Sequence, residues 1–196
     1  MKYLVCIFSF FVFSLANGQS DSLTHSRLSL EIDLAPFILK GYSFSLKYSP
    51  KKFRKLALMG SVFSSDFPDA MMRKSNQKKH FTNLKFGPSF AIFSEYYFKN
   101  IKTGFYAGPA IFLYNNSVSM LQKTEIAKFK TLYPNIRLGY LWYPSKKTGF
   151  YLNPWFNVGS EINLDNKNQI EDINFEPHRL NYVLALHLGY TFNLRM

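Results

Sequence analysis

Seven titratable side chains are the residues of this chain best placed to do chemistry: Glu31, Asp33, Lys47, Lys85, Glu95, Arg137 and His187. Each lies in a run of alternating residues and shares its parity with small or polar neighbours. Acids and bases collected on one face of a sheet can form a buried ion-pair network. A connected set of such groups can also conduct a proton or ion, but a lumen closed by paired charges is the plainer reading. Hydrolysis has thin support. A lipid-modifying enzyme would need a histidine with a serine and a carboxylate at a membrane surface. His25 lies near the N-terminus, His80 and His178 at loop ends and His187 mid-run, and no His-x-Ser pair falls on a strand. No metal-ligand cluster or glycine-rich phosphate loop is present, so no cofactor is expected.

What must position these groups is a set of strands. Leu180, Tyr182, Leu184, Leu186, Leu188, Tyr190, Phe192, Leu194 and Met196 alternate without a miss against Asn181, Val183, Ala185, His187, Gly189, Thr191, Asn193 and Arg195. This period-two run is about twice the length of an ordinary soluble strand and can cross a bilayer at a tilt. Seven similar runs precede it, near residues 28–34, 42–48, 56–62, 84–98, 104–114, 135–142 and 149–159. Short turns at 49–54, 99–103 and 144–148 follow the second, fourth and sixth runs, while the polar stretches 64–80, 115–131 and 160–178 read as loops. Tight turns at one end and larger loops at the other are the pattern of an up-and-down membrane barrel.

The N-terminus adds a compartment. Lys2 precedes an apolar run from Leu4 to Leu15, and Ala16-Asn17-Gly18 supplies small residues ahead of Gln19, so residues 1–18 read as a secretory signal peptide. Residues 19–26 follow as a polar leader and 27–196 as one barrel domain. Cys6 is the only cysteine, so the exported part carries no disulfide. Removing the signal peptide takes Lys2 and lowers the formal charge from +12 to +11. Export argues against nucleic acid as the partner of this basic excess and favours anionic lipid or lipopolysaccharide.

Two short repeats support the division into hairpins. Lys102-Thr103-Gly104-Phe105-Tyr106 recurs as Lys147-Thr148-Gly149-Phe150-Tyr151, and Leu138-Gly139-Tyr140 recurs as Leu188-Gly189-Tyr190. By this analogy Phe105, Ala107, Ile111 and Leu113 share the face of Phe150, Leu152, Phe156 and Val158.

Side-chain size assigns the faces. Ser29, Ser43, Ser45, Ala57, Ser61, Gly87, Ser89, Ala91, Gly139, Ala185 and Gly189 dominate the polar parity, whereas the other parity is bulky and apolar. The interior of an eight-stranded barrel is just wide enough to be filled by side chains, so the small set is expected inside. Tyr48, Tyr96, Phe98, Tyr140, Trp142, Tyr190 and Phe192 end the even-numbered strands on the apolar parity, as an aromatic girdle at a membrane interface would.

On these residues the chain resembles the small eight-stranded outer-membrane β-barrels of Gram-negative bacteria, the family of the OmpA transmembrane domain, over nearly its whole exported length. The resemblance implies an all-β, antiparallel up-and-down barrel in the cell outer membrane, with both termini on the periplasmic side. It also implies a final strand recognised by the barrel assembly machinery, although family members commonly end in Phe and this chain ends in Met196. A non-enzymatic structural or surface-interaction role follows, through loops that meet lipopolysaccharide or an envelope protein. Arg73, Lys74, Lys78 and Lys79 are the candidate lipopolysaccharide contact, with a solvated surface as the plain alternative. A narrow channel or transporter, a lipid A-modifying enzyme and a secreted soluble ligand-binding barrel remain open as other functions.

Overall fold

The computed structural model describes residues 26–99, 102–145 and 148–194. The expected signal peptide and nearly all of the polar leader lie outside these residues, as do Arg195 and Met196. Within them the chain runs β1 (Ser26–Asp33), a helical turn (Leu34–Ile38), β2 (Tyr42–Ser49), β3 (Leu56–Asp66), a 3-10 turn (Asp69–Met71), a second helical turn (Lys74–Lys78), β4 (Phe81–Tyr97), β5 (Gly104–Met120), β6 (Ile126–Leu141) and β7 (Phe150–Gly159). Three two-residue strands follow, β8 (Ile162–Asn163), β9 (Gln169–Ile170) and β10 (Ile173–Asn174), before the closing β11 (Asn181–Leu194).

The eight long strands pair antiparallel with their neighbours, and β1 pairs with β11 from Ser26 opposite Leu194 to Asp33 opposite His187. The sheet is therefore a closed eight-stranded antiparallel barrel without a free long edge. Asp33 ends β1 by accepting the Ala35 backbone N–H at 3.1 Å, which caps the first helical turn.

The two sequence repeats prove to be partners. Gly104 opens β5 and Gly149 immediately precedes β7, with φ of 81° and 70°, a conformation that favours glycine. Each then sends a Phe outward and a Tyr inward. Phe105 lies opposite Tyr140 and Tyr106 opposite Gly139, just as Phe150 lies opposite Tyr190 and Tyr151 opposite Gly189. Outside, the ring pairs meet edge to face at 4.7 and 4.9 Å between centroids. Inside, each tyrosine ring covers the glycine of the neighbouring strand, and a Cβ on either glycine would fall 2.2 Å from a ring atom or hydroxyl.

Packing corrects the expectation that only small residues fit the lumen. Met59, Phe93, Phe112, Tyr114, Tyr133 and Trp155 are buried in its middle layer among Ala91, Ala110 and Ala185. Tyr97, Tyr106, Leu141 and Tyr151 form a layer nearer the turns. Ala91 lies opposite Phe112, Ala110 opposite Phe93 and Ala185 opposite Trp155, so these small positions make room for rings from adjacent strands.

Three strand assignments are also corrected. Residues 115–131 are mostly strand, because β5 and β6 pair out to Ser119 opposite Ile126. Their polar residues include inward-facing Asn116 and Thr131, which hydrogen-bond at 2.9 Å. In β4 the register slips between Thr82 and Lys85 and again between Phe86 and Phe90. Each slip adds one residue and reverses the side-chain faces, as a β-bulge does. Leu84 is consequently buried and Phe86 turns inward to stack on Tyr114, while Lys85 faces outward. Lastly, β3 continues beyond the expected end at Val62 to Asp66.

Towards the loops the pattern inverts. Met72, Phe81, Leu84, Val118, Met120, Ala127, Phe129, Ile170 and Phe175 form a buried apolar cap, while Lys85, Lys128 and Lys130 face outward. The loop end is thus apolar inside and charged outside, as in a water-soluble fold, and the turn end is the reverse.

Candidate functional site

The side chains with the strongest chemical potential meet in one layer of the lumen, between the tyrosine layer and the aromatic middle layer. Glu31 comes from β1, Lys47 from β2, Glu95 from β4, Arg137 from β6 and His187 from β11, each from an inward position of its strand. Glu31, Glu95 and Arg137 have fully buried side chains, and that of Lys47 is 2% exposed. Lys47 Nζ pairs with both carboxylates, in close contact with Glu31 Oε1 and 2.9 Å from Glu95 Oε2. Two acids and two bases balance, which buried charges require.

Neutral groups complete the cluster. Glu31 accepts the Tyr151 hydroxyl at 2.6 Å and Asn153 Nδ2 at 3.2 Å, and lies 2.6 Å from His187 Nδ1. Glu95 accepts the Tyr97 hydroxyl at 2.6 Å. The Arg137 guanidinium lies 3.8 Å from Glu95 Oε1 and is sandwiched between Phe93 and Trp155, with its carbon 4.5 Å from each ring centroid. Asp33 stands at the edge of the group, 3.9 Å from His187 Nε2. Six of the seven candidate charges therefore gather. Lys85 does not: the β4 bulges turn it outward, and its Nζ lies 3.7 Å from Asp66.

Sequence reasoning missed Tyr97, Tyr106, Tyr151 and Asn153, the hydroxyl and amide groups that support the ions. Their signal was parity. Tyr106, Tyr151 and Asn153 sit on the polar side of strands whose opposite side carries Phe105, Phe150 and Phe156, but aromatic rings were assigned to the exterior by size.

The loops make a second cluster. Glu176 Oε1 lies 2.7 Å from Lys79 Nζ and its Oε2 lies 3.0 Å from Arg73 Nη1, while Asn76 joins the Glu176 backbone through bonds of 2.8 and 2.9 Å. Two members of the expected basic patch, Arg73 and Lys79, thus fasten one loop to another, and Lys74 and Lys78 face solvent. Other acids of this loop also have partners within the chain. Glu171 pairs with Lys123 at 2.6 Å, and Glu161 accepts from Asn181 Nδ2 at 2.6 Å and the His178 N–H at 3.1 Å. Hydrogen bonds from Lys79 and Ser75 hold the Glu176 carboxyl below the usual glutamate value. Burial pushes Glu161 above it and His178 below the usual histidine value. Among the described residues no group of three or more His, Cys, Asp or Glu could hold a metal ion.

Outside the barrel, Leu30, Phe44, Leu46, Leu58, Phe90, Ile92, Ile111, Ile136, Leu138, Phe156, Leu184 and Leu186 are exposed on every side. Tyr48, Tyr96, Phe98 and Phe192 are exposed below them at the turn end, and Tyr140, Trp142 and Tyr190 are half-buried there. Phe105 and Phe150, the ring partners of Tyr140 and Tyr190, belong to the same girdle. The architecture is a closed eight-stranded antiparallel barrel with an apolar exterior and an ionised interior on its turn side. No family model and no curated protein matches the chain. Among solved structures, the N-terminal β-barrel domain of Pseudomonas aeruginosa OprF aligns with a TM-score of 0.47 and 11% identity, over 89% of this chain and 100% of that one. Neisserial surface protein A aligns with a TM-score of 0.42 and 9% identity, over 87% and 95%.

Proposed function

We propose that the chain is a non-enzymatic outer-membrane barrel with a side-chain-filled lumen, serving a structural or surface-interaction role through its loop end. One observation carries this: around the turn-side barrel the apolar residues face out and the ionised ones face in. In water such an exterior would far exceed the apolar patches soluble monomers tolerate, whereas in a bilayer it is the favoured surface. The inversion near the loop cap marks where the barrel leaves the bilayer, so the loops stand in water. Lys74 and Lys78 are the outward groups there for lipopolysaccharide phosphate, and the alternating face of β11 is the segment offered to the assembly machinery.

The lumen supports a plug rather than a pore, since the ion cluster is joined to the wall on five strands and packed between two layers of rings. His187 lies inside this plug against Glu31, a poor position for attack on a lipid at the barrel surface. Purification tests the proposal: the folded chain should require detergent, migrate on a gel in a heat-modifiable way and show no stable open state in planar bilayers. Recovery as a soluble monomer would remove the membrane reading, a stable conductance the plug, and altered lipid A acylation in cells carrying the protein the non-enzymatic role.

A further inference from the structure

The turn end carries a charge pattern that neither the lumen nor the loops explain. The three turns, residues 50–55, 98–103 and 142–149, contain eight lysines and arginines and no aspartate or glutamate. At the loop end, by contrast, Arg73, Lys79, Lys85 and Lys123 each pair with an acid of the same chain. The turns have no acid of their own, and among the described residues Lys51, Lys52 and Arg54 of the first turn make no ion pair.

The first turn concentrates the pattern. Lys51, Lys52 and Arg54 are exposed around Phe53, itself 54% exposed, and with Ser26, Tyr48 and Pro50 the three cations line an open cleft of about 520 Å³. Beside it Lys102 is buried and donates from Nζ to the Pro50 carbonyl at 2.5 Å. Burial, and secondarily the neighbouring Arg27, bring its ammonium down to about 8. Tyr48, Tyr96 and Phe98 form the aromatic girdle immediately above, which places the cations at headgroup depth and Phe53 at the acyl boundary.

We propose that the turn end is a binding surface for anionic phospholipid, with the cleft bounded by Lys51, Lys52 and Arg54 receiving the headgroup phosphate. This rests on the reading of the chain as a membrane barrel. Phosphate oxygens would supply the negative charge that Lys51, Lys52 and Arg54 lack within the chain.

Native mass spectrometry of the full exported chain, released from micelles doped equally with phosphatidylglycerol and phosphatidylcholine, tests the proposal. The wild type should retain phosphatidylglycerol preferentially, and raised salt should erode the preference. The variant K51Q/K52Q/R54Q should lose about fivefold for each charge removed. K128Q/K130Q, on the outward face of β6 towards the loop end, should behave as wild type. Equal retention of the two lipids by the wild type, or an undiminished preference in the turn variant, would overturn the proposal. Should the turn variant fail to fold, the wild-type preference and its salt dependence decide the matter. Insertion without lipid preference rejects this surface alone, whereas a chain soluble without detergent rejects the membrane reading with it.

Discussion

Glu31 Oε2 and His187 Nδ1 stand 2.6 Å apart across the closing seam of the barrel, one on its first strand and the other on its last. A contact between residues so distant in sequence ties the lumen's ionic cluster to closure, since forming one brings the other to completion. Lys47, on the neighbouring strand, is the cation that makes this carboxylate tolerable inside.

Replacing Lys47 with Met should therefore destabilise the barrel by about 3–5 kcal/mol, because Glu31 and Glu95 would remain buried without their shared cation. Equilibrium unfolding in urea from lipid vesicles measures this. An effect below 1 kcal/mol would mean that the pairs are as solvated as surface ones.

Gly139 and Gly189 make room for the Tyr106 and Tyr151 rings, whereas a Cβ on Gly60 would meet nothing within 4 Å. Gly139→Ala and Gly189→Ala should each cost about 1–3 kcal/mol through overpacking against stiff, buried rings. Gly60→Ala should be close to neutral in the same unfolding assay, and a cost equal to the other two would argue against the ring-over-glycine account.

A charge on the outer face should be penalised by depth. Leu186→Arg, in the middle of β11, should lose about 2–4 kcal/mol of stability in lipid, and Leu180→Arg, at the loop edge, much less. Equal losses at Leu186 and Leu180 would contradict the placement of the membrane.

The loop clamp should respond to acid. A carboxylate held below its ordinary value stabilises the fold while ionised, so the Glu176 contribution is complete above the unperturbed value of 4.5 and is lost as pH falls through its lowered one. Amide hydrogen exchange at Glu176, whose N–H is bound by Asn76, should accelerate relative to mid-barrel amides over that acid range. Glu176→Gln should abolish the pH dependence. Glu161 acts in the opposite sense: with its carboxyl raised by burial, its contribution is complete below 4.5 and fades as pH rises through the raised value.

Much of this molecule was legible in the one-dimensional pattern. Strict alternation in residues 180–196 and its weaker copies gave the number of long strands, their antiparallel order and the side of the sheet that carries charge, because side-chain direction in a strand follows from sequence parity alone. The Thr-Gly-Phe-Tyr and Leu-Gly-Tyr repeats marked equivalent hairpins. Parity also held the missed signal for the extended β5–β6 hairpin: Ala127, Phe129, Thr131 and Tyr133 alternate with charged or outward residues, but with the apolar side turned inward.

Tertiary structure decided what parity cannot carry. An added residue in β4 reverses every side chain beyond it, so the position of Lys85 depended on bulges that form only when β3 and β5 pair on either side. Parity turns Tyr106 and Tyr151 inward, but the room for their rings comes from Gly139 and Gly189 across the strand pairs, which only the register reveals. The pairing of Arg73 and Lys79 with Glu176, about a hundred residues away, was likewise set by where two loops meet over the apolar cap. Sequence determined the alternation and the charge of each rim because both are properties of neighbouring residues. Closure determined which charges meet, because it alone brings the first strand against the last.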